Sequence, residues 1–106
     1  MAVDFEAVTQ VCRQYANDVR HAMPVGKVML FGSYAKGTAD ERSDIDICFF
    51  LDSYGGRGRF EIMKDLFWLT HRYKGAFFEP IVFETSELEN DNPFVKEILR
   101  TGREIL

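Results

Sequence analysis

Residues 32–46 read Gly-Ser-Tyr-Ala-Lys-Gly-Thr-Ala-Asp-Glu-Arg-Ser-Asp-Ile-Asp, and this segment joins two apolar runs of the chain. Its first two residues, Gly32 and Ser33, directly follow the apolar run 28–31, which we interpret as a buried strand. Glycine tolerates positive φ and lets the backbone approach a ligand closely. The N–H groups that follow it, together with the Ser33 hydroxyl, can bind phosphate oxygens. We therefore expect Gly32 and Ser33 to hold a phosphate group.

The same segment ends in two carboxylates, Asp44 and Asp46, where a second apolar run begins that extends to Leu51. Side chains alternate along a strand, so both carboxylates are expected on one face. Neighbouring carboxylates repel each other unless a cation lies between them, and Mg²⁺ accepts one or two carboxylates together with phosphate oxygens. With two such ions, one can hold a triphosphate while the other lowers the pKa of an attacking hydroxyl.

Either feature alone is common, since a Gly-Ser pair is usually an ordinary turn and an Asp-x-Asp sequence is usually an exposed strand start. The two features separated by ten residues are far more specific, and they resemble the signature of the DNA polymerase beta-like nucleotidyltransferase superfamily. The fuller segment resembles the minimal nucleotidyltransferases of bacteria and archaea. This resemblance implies a mixed β-sheet flanked by helices, a nucleoside triphosphate and two Mg²⁺ ions. It makes Asp44 and Asp46 metal ligands, and it makes Gly32 and Ser33 the triphosphate-binding residues.

The whole chain, residues 1–106, is predicted to form one small α/β domain. Its first helix is expected to begin after Asp4, which is a suitable N-cap. The predicted order is helix, strand, strand, helix, strand, helix, at about 5–22, 28–31, 44–51, 60–73, 77–83 and 93–101. Asn92 and Pro93 are expected to begin the last helix as N-cap and first helical residue. No internal repeat or interdomain linker is evident.

A third carboxylate is implied by the same resemblance, on the strand that follows the second long helix. The position that fits is Glu79, a charged residue among Phe, Ile and Val. Such a residue needs a reason to lie on an apolar strand. The family more often has Asp there, and Pro80 restricts the strand to a sheet edge or a bulge. Glu79 therefore either reaches the metal as a ligand or faces solvent in a partly degenerate site.

Composition excludes several other functions. The net charge of −4 argues against a broad nucleic-acid grip, which depends on Lys and Arg neutralising phosphates. No apolar run approaches the ~18 residues of a membrane span, and the acidic N-terminal segment does not resemble a secretory signal. We therefore expect a cytoplasmic protein. Cys12 and Cys48 lack the spacing of a metal site or a disulfide framework, and both are expected to be reduced and buried.

The small family members that the chain resembles are often partnered with a helical HEPN-type ribonuclease toxin. In those pairs the nucleotidyltransferase is the antitoxin, and it adds AMP from ATP to a tyrosine of the toxin. The chain ends soon after the last predicted helix, so we expect the acceptor surface to come from a docked protein or a second subunit. Asp44, Asp46 and Glu79 would then hold the two Mg²⁺ ions.

Two alternatives remain open from the sequence. In one, the chain is a catalytically vestigial antitoxin that binds its partner by contact alone, as Glu79 and Pro80 in place of the usual third carboxylate would allow. In the other, it modifies a small molecule such as an aminoglycoside, although so short a chain offers little room for that acceptor site.

Overall fold

A four-stranded mixed β-sheet forms the centre of the fold. The computed structural model describes residues 4–40 and 42–106. In these residues the helices are α1 (Phe5–Ala22), α2 (Gly32–Lys36), α3 (Arg59–Leu69) and α4 (Pro93–Thr101). The strands are β1 (Val25–Phe31), β2 (Ile45–Leu51), β3 (Phe78–Glu84) and β4 (Arg103–Glu104). Short 3₁₀ turns at Thr70–Arg72 and Thr85–Leu88 follow α3 and β3.

The sheet has the strand order β3-β2-β1-β4. Strand β1 is antiparallel to both β2 and β4, whereas β2 and β3 are parallel. Parallel neighbours require a crossover connection, and α3 lies in the segment that makes it. Strand β2 is therefore internal, which explains why its residues are apolar on both faces.

Helices cover both faces of the sheet. Residues of α1 and α3 pack with Ile47 and Phe49 on one face, and residues of α4 pack with Cys48 and Phe50 on the other. The fully buried Tyr15 links α1 to α3, because its hydroxyl donates a hydrogen bond of 2.6 Å to the carbonyl of Leu66. This packing fixes β2, and so fixes the positions of the carboxylates at its start.

Most of the predicted elements are confirmed. Asp4 caps α1 by accepting a hydrogen bond of 3.2 Å from the N–H of Ala7, and Asn92 caps α4 in the same manner. Strand β3, which contains Pro80, is an edge strand as expected. Cys12 and Cys48 are free and fully buried, and burial raises the pKa of each thiol to about 12.

Some boundaries differ from the sequence prediction. Strand β1 begins at Val25 rather than at 28, and β2 begins at Ile45 rather than at 44. The third helix ends at Leu69 and gives way to a 3₁₀ turn. Strand β4 was not predicted, because its two residues carry no strand pattern and are recognised only by their pairing with β1. In the part of the chain that the structure describes, no helix is both long and apolar enough to cross a membrane.

Candidate active site

The Gly32 turn lies at the end of β1 and begins α2. Gly32 has a φ of +68°, which favours glycine over every other residue. A Cβ added to Gly32 would lie 2.2 Å from Oδ2 of Asp46 and 3.1 Å from its Cγ. Glycine is therefore required here for two reasons, the backbone conformation and the close approach of the Asp46 carboxylate.

Ser33 follows in the first turn of α2 and is half-buried. Its carbonyl accepts backbone hydrogen bonds from Gly37 and from Thr38, the latter at 3.0 Å. These bonds close a five-residue helix that ends at Gly37, whose φ is +77°. The turn holding Gly32 and Ser33 is thus fixed at both ends. That it binds phosphate remains a prediction.

Asp46 and Glu79 are neighbours across the parallel strands β2 and β3, where they are register partners. Register partners on adjacent strands point to the same face of a sheet. Their carboxyl groups lie within hydrogen-bonding reach of each other, so that bond requires a proton on one of them. Asp46 is half-buried, whereas Glu79 is exposed. Glu79 thus lies on an edge strand open to solvent and also contacts Asp46. Its role as a metal ligand stays a prediction.

The electrostatics of this pair favour a bound cation. Burial, the hydrogen bond to Glu79, the charge of Glu79 and the charge of Asp44, in that order of size, together raise the pKa of Asp46 to about 6. A carboxyl group disfavoured as an anion in this way gains most from a positive partner. The oxygen donors of Asp46 and Glu79 are the type that Mg²⁺ accepts. The residues present therefore suit a divalent cation.

Asp44 is placed differently from the other two predicted ligands. It precedes β2, on an exposed turn in which Ser43 and Asp40 hydrogen-bond to each other. Its charge acts on Asp46, so it lies nearby. However, in residues 4–40 and 42–106 no three His, Cys, Asp or Glu side chains are clustered as a metal site. The structure therefore brings Asp46 and Glu79 together and leaves Asp44 nearby, outside a three-ligand cluster.

A row of three residues thus crosses the sheet, with Gly32 just after β1, Asp46 on β2 and Glu79 on β3. We call it the carboxylate row. A cavity of about 550 Å³ opens beside it, and Asp44 and Glu79 contribute to its wall. The remaining wall comes from the end of α3 and the turn before β3. All of its lining residues except Asp44 fall within 67–79, but the sequence does not show that this segment folds around a cavity. The exposed aromatic residues near it were the available signal.

A family model described as a nucleotidyltransferase domain matches residues 12–102. That match spans the carboxylate row and most of the sheet. The chain belongs to the nucleotidyltransferase family. The small α/β architecture and the mixed sheet predicted from the sequence are thereby confirmed.

Individual nucleotidyltransferase relatives agree with this assignment. A Methanocaldococcus jannaschii protein, provisionally named protein adenylyltransferase MJ1305, is 33% identical over 102 residues, which cover 92% of this chain and 65% of the relative. The chain thus spans less than two thirds of that relative's length.

Two solved structures share the fold. A crystal structure of a provisionally assigned nucleotidyltransferase from Sulfolobus solfataricus has a TM-score of 0.67 at 20% identity, covering 94% of this chain and 80% of the other. A crystal structure of a toxin-antitoxin with AMP-PNP has a TM-score of 0.58 at 18% identity, with coverages of 89% and 72%.

Proposed function

We propose that the chain is the antitoxin of a toxin–antitoxin pair and transfers AMP from ATP to a tyrosine hydroxyl of a HEPN-type ribonuclease toxin. The observation that carries this proposal is the carboxylate row, in which Asp46 packs on the Gly32 turn and pairs with Glu79. The name of the M. jannaschii relative supports a protein acceptor. The solved toxin-antitoxin with an ATP analogue supports the nucleotide and the kind of partner.

In this proposal the chain positions ATP and receives a proton. Gly32 and Ser33 hold the β- and γ-phosphates, and Asp44, Asp46 and Glu79 hold two Mg²⁺ ions. Bound to these carboxylates, the ions would supply neutralisation of phosphate charge. The phenolic oxygen of the acceptor forms a bond to the α-phosphorus, and the bond from that phosphorus to the bridging oxygen breaks. Pyrophosphate leaves with the electron pair, and the phenolic proton passes to the exposed Glu79 carboxylate.

Catalysis by this arrangement comes mainly from positioning and from charge neutralisation. The Gly32 turn fixes Asp46 on one side, and the register of β2 and β3 fixes Glu79 on the other. The cytoplasmic location expected from the sequence is part of the same proposal, because ATP and an intracellular ribonuclease would both be available there.

Intact mass spectrometry tests the proposal. The chain is incubated with ATP, Mg²⁺ and the proposed HEPN-type toxin partner, and the toxin is expected to gain the mass of one AMP. Asp44→Asn should abolish the gain, whereas Asp91→Asn, which alters an exposed carboxylate that is not a proposed metal ligand, should not. No mass gain with the wild-type chain, or an equal gain with Asp44→Asn, would contradict the proposed function.

Neutralisation by contact alone is favoured by one observation, the lack of a three-ligand cluster in the described residues. This candidate predicts that Asp46→Asn still binds the toxin and still protects cells that express it. The enzymatic proposal predicts that Asp46→Asn binds the toxin but loses protection. Growth of cells that express the toxin with either form of the chain separates the two.

A further inference from the structure

The cavity beside the carboxylate row has walls of two different kinds. Its lining includes two carboxylates, Asp44 and Glu79, which we call its acidic end, and one lysine, Lys74. It also includes the rings of Phe67, His71 and Phe77, which we call its aromatic wall. Its volume of about 550 Å³ lies within the range of about 300–1,000 Å³ that is usual for ligand sites. The catalytic roles proposed above use only the acidic end, so the aromatic wall remains unexplained.

The aromatic wall is unusually exposed for a domain of this size. Phe67 is 51% exposed and Phe77 is 68% exposed, while the neighbouring Trp68 is 62% exposed. Large apolar groups left in water mark binding surfaces more often than chance. The rings also support one another, since His71 stacks on Trp68 at a centroid distance of 4.8 Å and meets Phe67 edge-on at 5.4 Å. Ring contacts therefore support the Phe67 and His71 part of the wall.

The position of the cavity indicates which ligand it takes. The carboxylate row follows the strand order, with Gly32 after β1, Asp46 on β2 and Glu79 on β3. The proposed function places the triphosphate at the Gly32 end. The attacking and leaving oxygens of phosphoryl-type transfer lie roughly in line across the phosphorus. The attacking hydroxyl must then arrive from the Glu79 end, where the cavity opens.

We propose that this cavity is the acceptor subsite and that it receives a tyrosine side chain of the partner protein against Phe67, His71 and Phe77. This inference rests on the proposed function. Aromatic rings prefer edge-on or offset contacts with other rings at centroid distances of about 4.5–7 Å. Seated in this way, a phenol ring is held by the aromatic wall while its hydroxyl points toward Asp44 and Glu79. The transfer step and its proton balance are those given above.

Steady-state kinetics of AMP transfer to the HEPN-type toxin provide the first test. The Phe67→Ala/Phe77→Ala double variant is expected to raise the KM for the toxin about tenfold or more, as loss of aromatic anchors usually does, while the KM for ATP stays within about twofold. Phe60→Ala is the matched control, because Phe60 is 83% exposed on the same helix but does not line the cavity. An unchanged KM for the toxin, or an equal effect of Phe60→Ala, would overturn the acceptor subsite.

A second measurement examines the cavity without relying on transfer. N-acetyl-tyrosinamide at millimolar concentration is titrated into the isotope-labelled chain, and NMR shifts are expected for the amides of Thr70, His71 and Phe77. The double variant should lose these shifts. Adenosine is titrated in parallel. If adenosine shifts these amides and N-acetyl-tyrosinamide does not, the cavity binds the nucleobase, and the inference is contradicted. If the wild-type chain transfers nothing but binds N-acetyl-tyrosinamide here, the proposed function fails, and the cavity is a tyrosine-binding site without an acceptor role.

Discussion

The two ends of β2 carry aspartates in similar backbone surroundings and very different chemical ones. Asp46 packs against Gly32, and Asp52, just after the strand, packs against Gly26. The Cβ of an alanine would lie 2.2 Å from the Asp46 carboxylate at position 32 and 2.8 Å from the Asp52 carboxylate at position 26. Asp52 is exposed and accepts a hydrogen bond of 2.8 Å from the hydroxyl of Thr85. Asp46 is half-buried and has another carboxyl group as its neighbour.

This difference separates a structural carboxylate from the one that we propose binds a cation. The Asp52 carboxylate accepts its hydrogen bond from the neutral Thr85 side chain. The backbone N–H of Asp52 donates a second one, of 2.9 Å, to the carbonyl of Pro24. Asp46 faces Glu79, so its neighbour in the fold raises its energy as an anion instead of lowering it. Proteins tolerate such an arrangement chiefly where function requires it.

The largest expected effect follows from neutralising each aspartate in turn. Asp46→Asn should reduce AMP transfer about 10³-fold, since a metal-binding carboxylate contributes several kcal/mol to the transition state. Asp52→Asn should leave the rate within about twofold. Initial rates of toxin modification measure both. Equal losses in the two variants would show that the ends of β2 do not differ in function.

Alanine at the two glycines should give the next largest effect. Gly32→Ala introduces a side chain at positive φ, at a cost of about 1–3 kcal/mol in stability, and displaces the Asp46 carboxylate. We expect a loss of transfer of about 10²-fold or more, in line with a small misplacement of a reacting group. Gly26→Ala should destabilise the fold without a matching loss in kcat of the folded fraction. Urea unfolding and kinetics together separate the two outcomes, and a Gly32→Ala protein with normal kcat would contradict the proposed contact.

Magnesium should stabilise the chain only through its proposed ligands, Asp44, Asp46 and Glu79. At a concentration tenfold above its Kd, a ligand of the folded state adds about 1.4 kcal/mol, equivalent to a rise in Tm of several degrees for a domain of this size. The rise should disappear in Glu79→Gln and persist in Glu89→Gln, which alters another exposed carboxylate. Thermal unfolding with and without Mg²⁺ measures this, and an equal rise in both variants would place the ion elsewhere.

The smallest expected effect concerns pH and the free chain. The pKa of Asp46 is raised to about 6 in the fold, from an ordinary value of 3.8. Between these pH values the folded chain holds a proton that the unfolded chain has released. The free energy of unfolding therefore falls as pH rises from about 4 to about 6, and this loss of stability stays constant at higher pH. Asp46→Asn removes this loss of stability. The free energy of unfolding of the variant should therefore gain on that of wild type between pH 4 and pH 7, by less than about 1 kcal/mol after solvent screening.

Unfolding by urea at both pH values checks this prediction. Glu79→Gln is the informative partner variant, because it removes one of the groups that raise the pKa of Asp46 and should therefore reduce the pH dependence. An advantage of Asp46→Asn that is larger at pH 4 than at pH 7 would contradict the coupling of the two carboxyl groups.

Much of the fold follows from local sequence patterns. The spacing of apolar residues determined α1, and its cap at Asp4 was predicted from the residue type alone. The edge position of β3 followed from Pro80, which cannot donate to a neighbouring strand. Strand β4 could not be predicted, because pairing of Arg103 and Glu104 with β1 depends on tertiary structure rather than on their own pattern.

The site was predictable where a motif is local and unpredictable where residues converge. The Gly-Ser and Asp-x-Asp elements lie within one segment, whereas contact between Asp46 and Glu79 depends on the register of two strands. Asp44 was expected within the strand, but β2 begins one residue later, and Asp44 lies on the preceding turn. The cavity wall required the end of α3 to meet the start of β3, which no periodicity in the sequence reveals.

AMP transfer by this chain requires a cation bound at the carboxylate row together with ATP. Paramagnetic Mn²⁺ in place of Mg²⁺, added with a non-hydrolysable ATP analogue, broadens NMR signals of nearby amides. We expect selective broadening of the amide signals of Gly32, Asp46 and Glu79 in the wild-type chain. We expect no broadening at these positions in Asp46→Asn. Broadening centred on the acidic segment 84–91, or equal broadening in the variant, would contradict it.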